Sequence, residues 1–109
     1  MTFDKIISGI GAQNGIVVGV ARVINSSNLD VEFNEGDILV TKFTSPLLIP
    51  FIKKAGAIVC DLGGSLCHAA IIAREFGIPC IVGSKNATKI IKSGQKILVN
   101  ATTGGIYGI

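Results

Sequence analysis

The sequence predicts a single α/β domain in which a mixed β-sheet is covered by helices. Short apolar runs rich in β-branched residues alternate with segments that carry helix-start and helix-stop residues. The chain has 109 residues, 49% of them hydrophobic, which suffices for one hydrophobic core but not for two. We therefore expect residues 1–109 to form one domain.

Strands are predicted where β-branched residues cluster between turn residues. Residues 1–15 contain three glycines and little periodicity, so we expect an irregular lead-in. Gly19 lies inside the first apolar run and indicates a bulge or a close approach of another backbone. The predicted strands are 15–24, 38–41, 57–60, 80–82, 96–99 and 106–109.

The segment 46–54 has the residues of a helix start. Ser45 is a candidate cap, and Pro46 fits the first turn, where its missing N–H costs nothing. Pro50 requires that the helix begin later or kink, because proline removes a hydrogen bond from a helix interior.

A second helix is predicted to follow His68 and to end at Gly77, since glycine is favoured just after a helix. A third is predicted over 86–92, with Ser84 or Asn86 as its cap. The second helix is expected to bury one apolar face, which comprises Ala69, Ile72, Ala73 and Phe76.

Composition argues against several classes of protein. The net charge of +3 is scattered along the chain, with one Tyr and no Trp, which does not favour a nucleic-acid surface. The acidic residues around the turn at 34–37 are predicted to lie on a solvated loop. No apolar run approaches the about 20 residues of a membrane span, and no signal-peptide pattern is present. We expect a cytoplasmic protein.

The three cysteines are Cys60, Cys67 and Cys80. An odd number in a chain without a secretory signal favours reduced thiols. Their spacing relative to His68 lacks the short chelating pair of zinc modules, so no metal site is predicted. Cys60 and Cys80 fall in apolar strands and are predicted to be buried and inert.

The most informative stretch is the glycine-rich turn Gly63-Gly64-Ser65-Leu66-Cys67-His68, which places the single histidine at a helix start. Backbone N–H groups there lack partners and attract anions, and the local positive charge keeps the imidazole neutral. His68 is thus suited to accept a phosphoryl group. We expect the group to be bound by the remaining turn residues, namely Gly63, Gly64, Ser65 and Cys67.

Other interpretations of these residues stay open. A lone histidine next to an alanine-rich helix is more often a satisfied surface or core residue. Cys67 is a competing nucleophile, because a helix start lowers the pKa of a thiol. Asp61 either orients the imidazole or only ends a strand. Arg74 lies on another helical face and is predicted to be a surface residue or an ion-pair partner.

The chain resembles the mobile phosphohistidine domain of phosphoenolpyruvate-utilising enzymes, a family that includes phosphoenolpyruvate synthase, pyruvate phosphate dikinase and enzyme I of the sugar phosphotransferase system. The central match is GGSLCHAAIIAREFGIPCIVG at 63–83, and further matches lie at 15–23, 36–41 and 94–100. The resemblance implies a swivelling β/β/α domain whose His68 carries a phosphoryl group between two active sites. Cys67 stands where Ser or Thr is common, and Leu66 stands where dikinases carry a regulatory Thr.

The resemblance also implies partners. An ATP-grasp-like nucleotide-binding domain would phosphorylate the histidine, and a TIM-barrel domain would exchange the group with pyruvate. Mg²⁺ and ATP would bind on those partner domains, with no cofactor on this one. The chain would be a free-standing subunit or one domain of a longer phosphotransferase. The alternative is a non-catalytic swivelling module that binds an anion or shapes a partner's site.

Overall fold

The computed structural model describes residues 4–25 and 27–109 of the chain. These residues form eight strands, three short helices and one 3-10 turn over Pro46–Leu48. The strands are β1 (Asp4–Ser8), β2 (Ile10–Gln13), β3 (Ile16–Val23), β4 (Ile38–Thr41), β5 (Ala57–Cys60), β6 (Cys80–Val82), β7 (Lys96–Asn100) and β8 (Gly105–Gly108). The helices are α1 (Ile49–Ile52), α2 (His68–Phe76) and α3 (Ala87–Ile90).

All eight strands join one mixed sheet in the order β1-β8-β7-β3-β4-β5-β6-β2. The pairs β3–β4, β4–β5 and β5–β6 are parallel, whereas the remaining pairs are antiparallel. This architecture confirms the predicted mixed sheet with covering helices. The parallel centre directs the carboxyl ends of β4, β5 and β6 to the same edge of the sheet.

The core has two layers because the central parallel strands are buried on both faces. On β4, Ile38 and Val40 face one layer, which also contains Ile97, Val99 and Ile106 from the antiparallel strands. Leu39 faces the opposite layer, which contains residues of α1 and α2. The sheet therefore separates a core formed with α1 and α2 from a core formed with the antiparallel strands and Ala87 of α3.

The lead-in prediction is wrong for the described residues 4–13, which form β1 and β2; residues 1–3 lie outside the described chain. The two strands pair at opposite edges of the sheet, β1 with β8 and β2 with β6. Gly9 between them donates its N–H to the carbonyl oxygen of Gly104 at 2.9 Å. Long-range pairing, rather than local pattern, makes these short glycine-containing segments strands.

Helix boundaries differ from the predictions in two places. The segment 46–54 divides into the 3-10 turn and α1, with Pro50 in the first turn of α1, as the expected kink requires. The Ser45 side chain makes no capping bond. α3 ends at Ile90, and neither predicted cap acts through its side chain. Asn86 precedes the helix without a side-chain bond. The Ser84 hydroxyl instead donates to the carbonyl of Cys60 at 2.8 Å.

The buried face of α2 is shifted from the predicted one. Ala69, Ala70 and Ala73 are buried, whereas Phe76 is exposed. α2 packs on β2 as well as on β5 and β6. Gly77 ends the helix in the left-handed conformation at φ 68°, and the buried Ile78 that follows takes the place expected of Phe76.

Two further residues test the loop and strand predictions. Gly19 marks a close approach, since a Cβ there would lie 2.9 Å from the carbonyl oxygen of Gly36. Asp37 is buried rather than solvated, and its carboxylate accepts bonds from the Arg22 Nε at 3.0 Å and from the Asn34 N–H at 2.8 Å. No helix within the described residues is long and apolar enough to cross a membrane.

Candidate functional site

The candidate site lies at the carboxyl edge of the parallel strands, where loops after neighbouring strands meet. The register of β4 and β5 places Thr41 beside Cys60. The loop after β4 therefore lies next to the glycine-rich turn after β5, and the Leu62 N–H donates to the carbonyl of Lys42 at 3.0 Å. This edge brings together all five predicted site residues, which are Gly63, Gly64, Ser65, Cys67 and His68.

The imidazole of His68 is held by one hydrogen bond. Its Nδ1 lies 2.7 Å from the hydroxyl oxygen of Thr44, a buried residue of the loop after β4. Among the described residues, Nε2 has no hydrogen-bond partner, and His68 itself is exposed. Thr44 was not predicted as a site residue; its only sequence signal is its position just after a strand next to β5.

The backbone around His68 forms the start of α2. Cys67 precedes the helix with extended dihedrals, φ −73° and ψ 168°, and caps it with no side-chain bond. The N–H groups of His68, Ala69 and Ala70 have no acceptor in the part of the chain that the structure describes. Three unpaired donors and the positive end of the helix dipole make this an anion-attracting position.

The two glycines of the turn differ in what they require. Gly63 has φ 108°, and a Cβ there would lie 2.7 Å from the Sγ of Cys67. Gly64 has no positive φ, and a Cβ there would meet nothing within 4 Å. Glycine is therefore required at position 63, because a side chain there would be strained by the positive φ and would collide with Cys67. At Gly64 the space that a side chain would occupy is open.

Arg74 connects the last turn of α2 to the glycine-rich turn. Its Nη2 donates to the carbonyl oxygen of Ser65 at 2.6 Å. Arg74 is exposed, as predicted, but its partner is a carbonyl rather than a carboxylate. The contact draws the Ser65 carbonyl toward a cation and closes the loop that precedes His68.

Asp61 does not orient the imidazole. Its carboxylate accepts bonds from the N–H of Thr88, at 3.0 Å, and from the Thr88 hydroxyl. It thus satisfies a donor at the start of α3, the role that Ser84 or Asn86 was expected to fill. Of the two interpretations of Asp61, the structural one is correct.

The cysteines have separate environments. Cys60 and Cys80 are fully buried, as predicted, and burial raises the pKa of the Cys60 thiol far above its ordinary value and that of Cys80 to about 12. Cys67 is half-buried and makes no hydrogen bond to the His68 ring within the described residues. The geometry thus offers no Cys–His pair to support a thiol enzyme.

A small cavity of about 70 Å³ lies beside the ring and is lined mainly by apolar side chains, among them Phe43, Leu62 and Cys67. Pockets for small-molecule ligands typically measure about 300–1,000 Å³. The cavity is too small for a nucleotide. Among the described residues, no group of three His, Cys, Asp or Glu side chains is placed to hold a metal ion.

Comparison with known proteins gives a family match. The family model described as "PEP-utilising enzyme, mobile domain" matches residues 33–104. The chain is 48% identical over 105 residues to phosphoenolpyruvate synthase of Pyrococcus furiosus, covering 95% of this chain and 13% of that protein. It is 46% identical over 100 residues to rifampicin phosphotransferase of Bacillus cereus, covering 92% of this chain and 11% of that protein. The chain thus corresponds to a small part of these relatives.

Solved structures support the fold. A crystal structure of aconitase X from Thermococcus kodakaraensis has a TM-score of 0.74 and 19% identity, covering 97% of this chain and 98% of that one. At that identity, the likeness concerns the fold alone. A solution structure of an Enzyme I protein has a TM-score of 0.58 and 28% identity, covering 76% of this chain and 33% of that one.

We predict opposite outcomes for alanine at the two glycines. Gly63→Ala should lower the free energy of unfolding by about 1–3 kcal/mol, because it imposes a positive φ on a residue with a Cβ and displaces Cys67. Gly64→Ala should change it by less than about 0.5 kcal/mol. Urea denaturation of both variants measures the difference, and equal losses would contradict the distinct roles of the two positions.

We also predict that iodoacetamide at about pH 8 modifies Cys67 in the folded chain and leaves Cys60 and Cys80 unmodified. Burial excludes the reagent from the two buried thiols, and their raised pKa keeps them protonated. Mass spectrometry of proteolytic peptides gives the extent at each site. All three should react in urea, which controls for intrinsic reactivity; rapid labelling of Cys80 in the native chain would refute the assignment.

Proposed function

This chain belongs to the family of mobile domains of phosphoenolpyruvate-utilising enzymes, and from that premise we propose that it carries a phosphoryl group on His68. The observation that supports this most directly is the state of the imidazole ring. Nδ1 contacts Thr44, Nε2 has no partner among the described residues, and His68 begins a helix whose first three N–H groups lack acceptors. A nucleophile and an anion site therefore coincide.

The proposed chemistry uses the tautomer with its proton on Nδ1, one of the two that this contact permits. With its proton on Nδ1, the neutral ring donates to the Thr44 hydroxyl oxygen and leaves a lone pair on Nε2. That pair forms the bond to phosphorus as the bond from phosphorus to the donor's leaving oxygen breaks, and the oxygen departs with the electron pair. The N–H groups at the start of α2 stabilise the transferred anion.

We propose that the donor and the acceptor bind elsewhere in the enzyme. The cavity beside His68 is too small for a nucleotide. An ATP-grasp-like domain holding ATP and Mg²⁺ would phosphorylate Nε2, and a TIM-barrel domain would exchange the group with pyruvate in a cytoplasmic synthase-like enzyme. Residues 1–109 would act as the single swivelling domain between them. The name of the rifampicin relative indicates that acceptors differ within the family.

The first test is label transfer in the complete enzyme that contains this chain. Incubation with ATP labelled in the transferred phosphoryl group, or with labelled phosphoenolpyruvate, should give an acid-labile, base-stable label that His68→Ala abolishes and Cys67→Ala retains. Label that persists in His68→Ala would overturn the proposal. No label in the wild type would favour a non-catalytic module, and loss in Cys67→Ala alone would favour the thiol.

The second test concerns Thr44 as a positioning residue. Thr44→Val removes the hydroxyl while keeping the shape, so phosphorylation of His68 should slow about fivefold, as expected for the loss of one hydrogen bond of about 1 kcal/mol. Thr44→Ser should restore the rate. Nitrogen chemical shifts of the imidazole should show the protonated Nδ1 in the wild type and a mixture of tautomers in Thr44→Val. A wild-type rate in Thr44→Val would exclude the role.

A further inference from the structure

Three large apolar side chains are exposed on the two loops that carry Thr44 and His68. The exposed fractions of Phe43, Leu62 and Leu66 are 52%, 49% and 83%. Phe43 and Leu62 line the cavity beside His68, and Leu66 lies on the glycine-rich turn. We call these three residues the apolar collar. Exposed apolar side chains that occur together beside a cavity, unlike scattered ones, are typical of interaction sites.

The proposed reaction requires a second surface directly over the collar. Phosphoryl transfer needs the phosphorus within bonding distance of Nε2, and the adjacent cavity of about 70 Å³ does not hold the donor. Whatever holds the donor must therefore cover the side chains around the ring. The chain spans only 13% of the Pyrococcus furiosus relative, so further domains are available to supply that surface.

Charge at this edge suits an anionic donor. Lys42 follows β4, Lys85 follows β6, and the Arg74 guanidinium contacts the glycine-rich turn. All three are exposed. The acidic residues of the 30–37 segment instead precede β4. They therefore lie toward the amino-terminal ends of the parallel strands, away from His68. A negatively charged phosphoryl donor is thus attracted to the edge that carries His68.

We propose that the apolar collar, framed by these three cations, is the docking surface for the phosphoryl-donor domain of the same enzyme. The inference rests on the proposed carrier function. The donor domain presents an apolar rim around its anionic substrate, buries Leu66 and Phe43 against that rim, and excludes water from the transferring group. Docking, rather than the intrinsic reactivity of the imidazole, then limits the rate of phosphorylation.

Two phosphoryl donors separate docking from chemistry. In the complete enzyme, Leu66→Ser and the double variant Phe43→Ser/Leu66→Ser should phosphorylate His68 from labelled ATP or phosphoenolpyruvate at least about tenfold more slowly, as expected for one lost apolar contact. Both should react at the wild-type rate with phosphoramidate, a small donor that needs no docking. In that reaction, the bond from Nε2 to phosphorus forms as the phosphorus–nitrogen bond breaks and ammonia leaves.

Ile16→Ser is the matched control, because Ile16 is 63% exposed and pairs with Asn100 at the far end of β3. It should leave both rates unchanged. A wild-type rate of enzymatic phosphorylation in Leu66→Ser overturns the docking proposal, as does self-association that light scattering detects in the wild type and not in Leu66→Ser. Failure of the carrier function is distinct: His68 would then take no label from the enzymatic donor even in the wild type.

Discussion

The parallel pairing of β4 with β5 sets Thr41 beside Cys60 and so carries the segments after both strands to the same edge of the sheet. Thr44 and His68 are 24 positions apart in the chain, yet their side chains meet at 2.7 Å there. The site depends on this pairing because neither loop holds the imidazole alone. β4 and β5 are buried on both faces, which gives the two loops a rigid base.

The glycine-rich turn connects β5 to the start of α2, where His68 lies. Gly63 turns the chain sharply after β5, and Cys67 packs against it before α2 begins. The Arg74 side chain then draws the Ser65 carbonyl toward the last turn of α2. In the described chain, the first N–H groups of the helix have no acceptor within this loop.

The surroundings of His68 suit a carrier better than a self-contained enzyme. The cavity beside the ring is lined by apolar side chains together with Thr44, and Asp61, the acidic residue that follows β5, is engaged with Thr88. The described chain thus places no carboxylate in hydrogen-bond contact with the imidazole. Proton transfer and metal chemistry would then belong to the partner domains, and this chain would contribute a neutral nucleophile and its orientation.

The local sequence pattern was sufficient to predict the central strands and α2. Their signals, the apolar runs and the terminal Gly77, involve only a few neighbouring residues. It failed for β1 and β2, whose pairing partners β8 and β6 lie more than sixty positions away in the chain. It also failed for Phe76 and for the capping of α3. In each case, a contact distant in sequence intervened: α2 packs on β2, and Asp61 binds Thr88.

The sequence by itself determined that a single histidine stands at a glycine-led helix start, because that arrangement depends only on neighbouring residues and their backbone preferences. It left open which imidazole nitrogen is free, what Asp61 and Arg74 contact, and which side chains surround the ring. Only the tertiary structure decided these points. Each depends on side chains from separate strands and loops, and parallel sheet pairing is what brings them within hydrogen-bond distance.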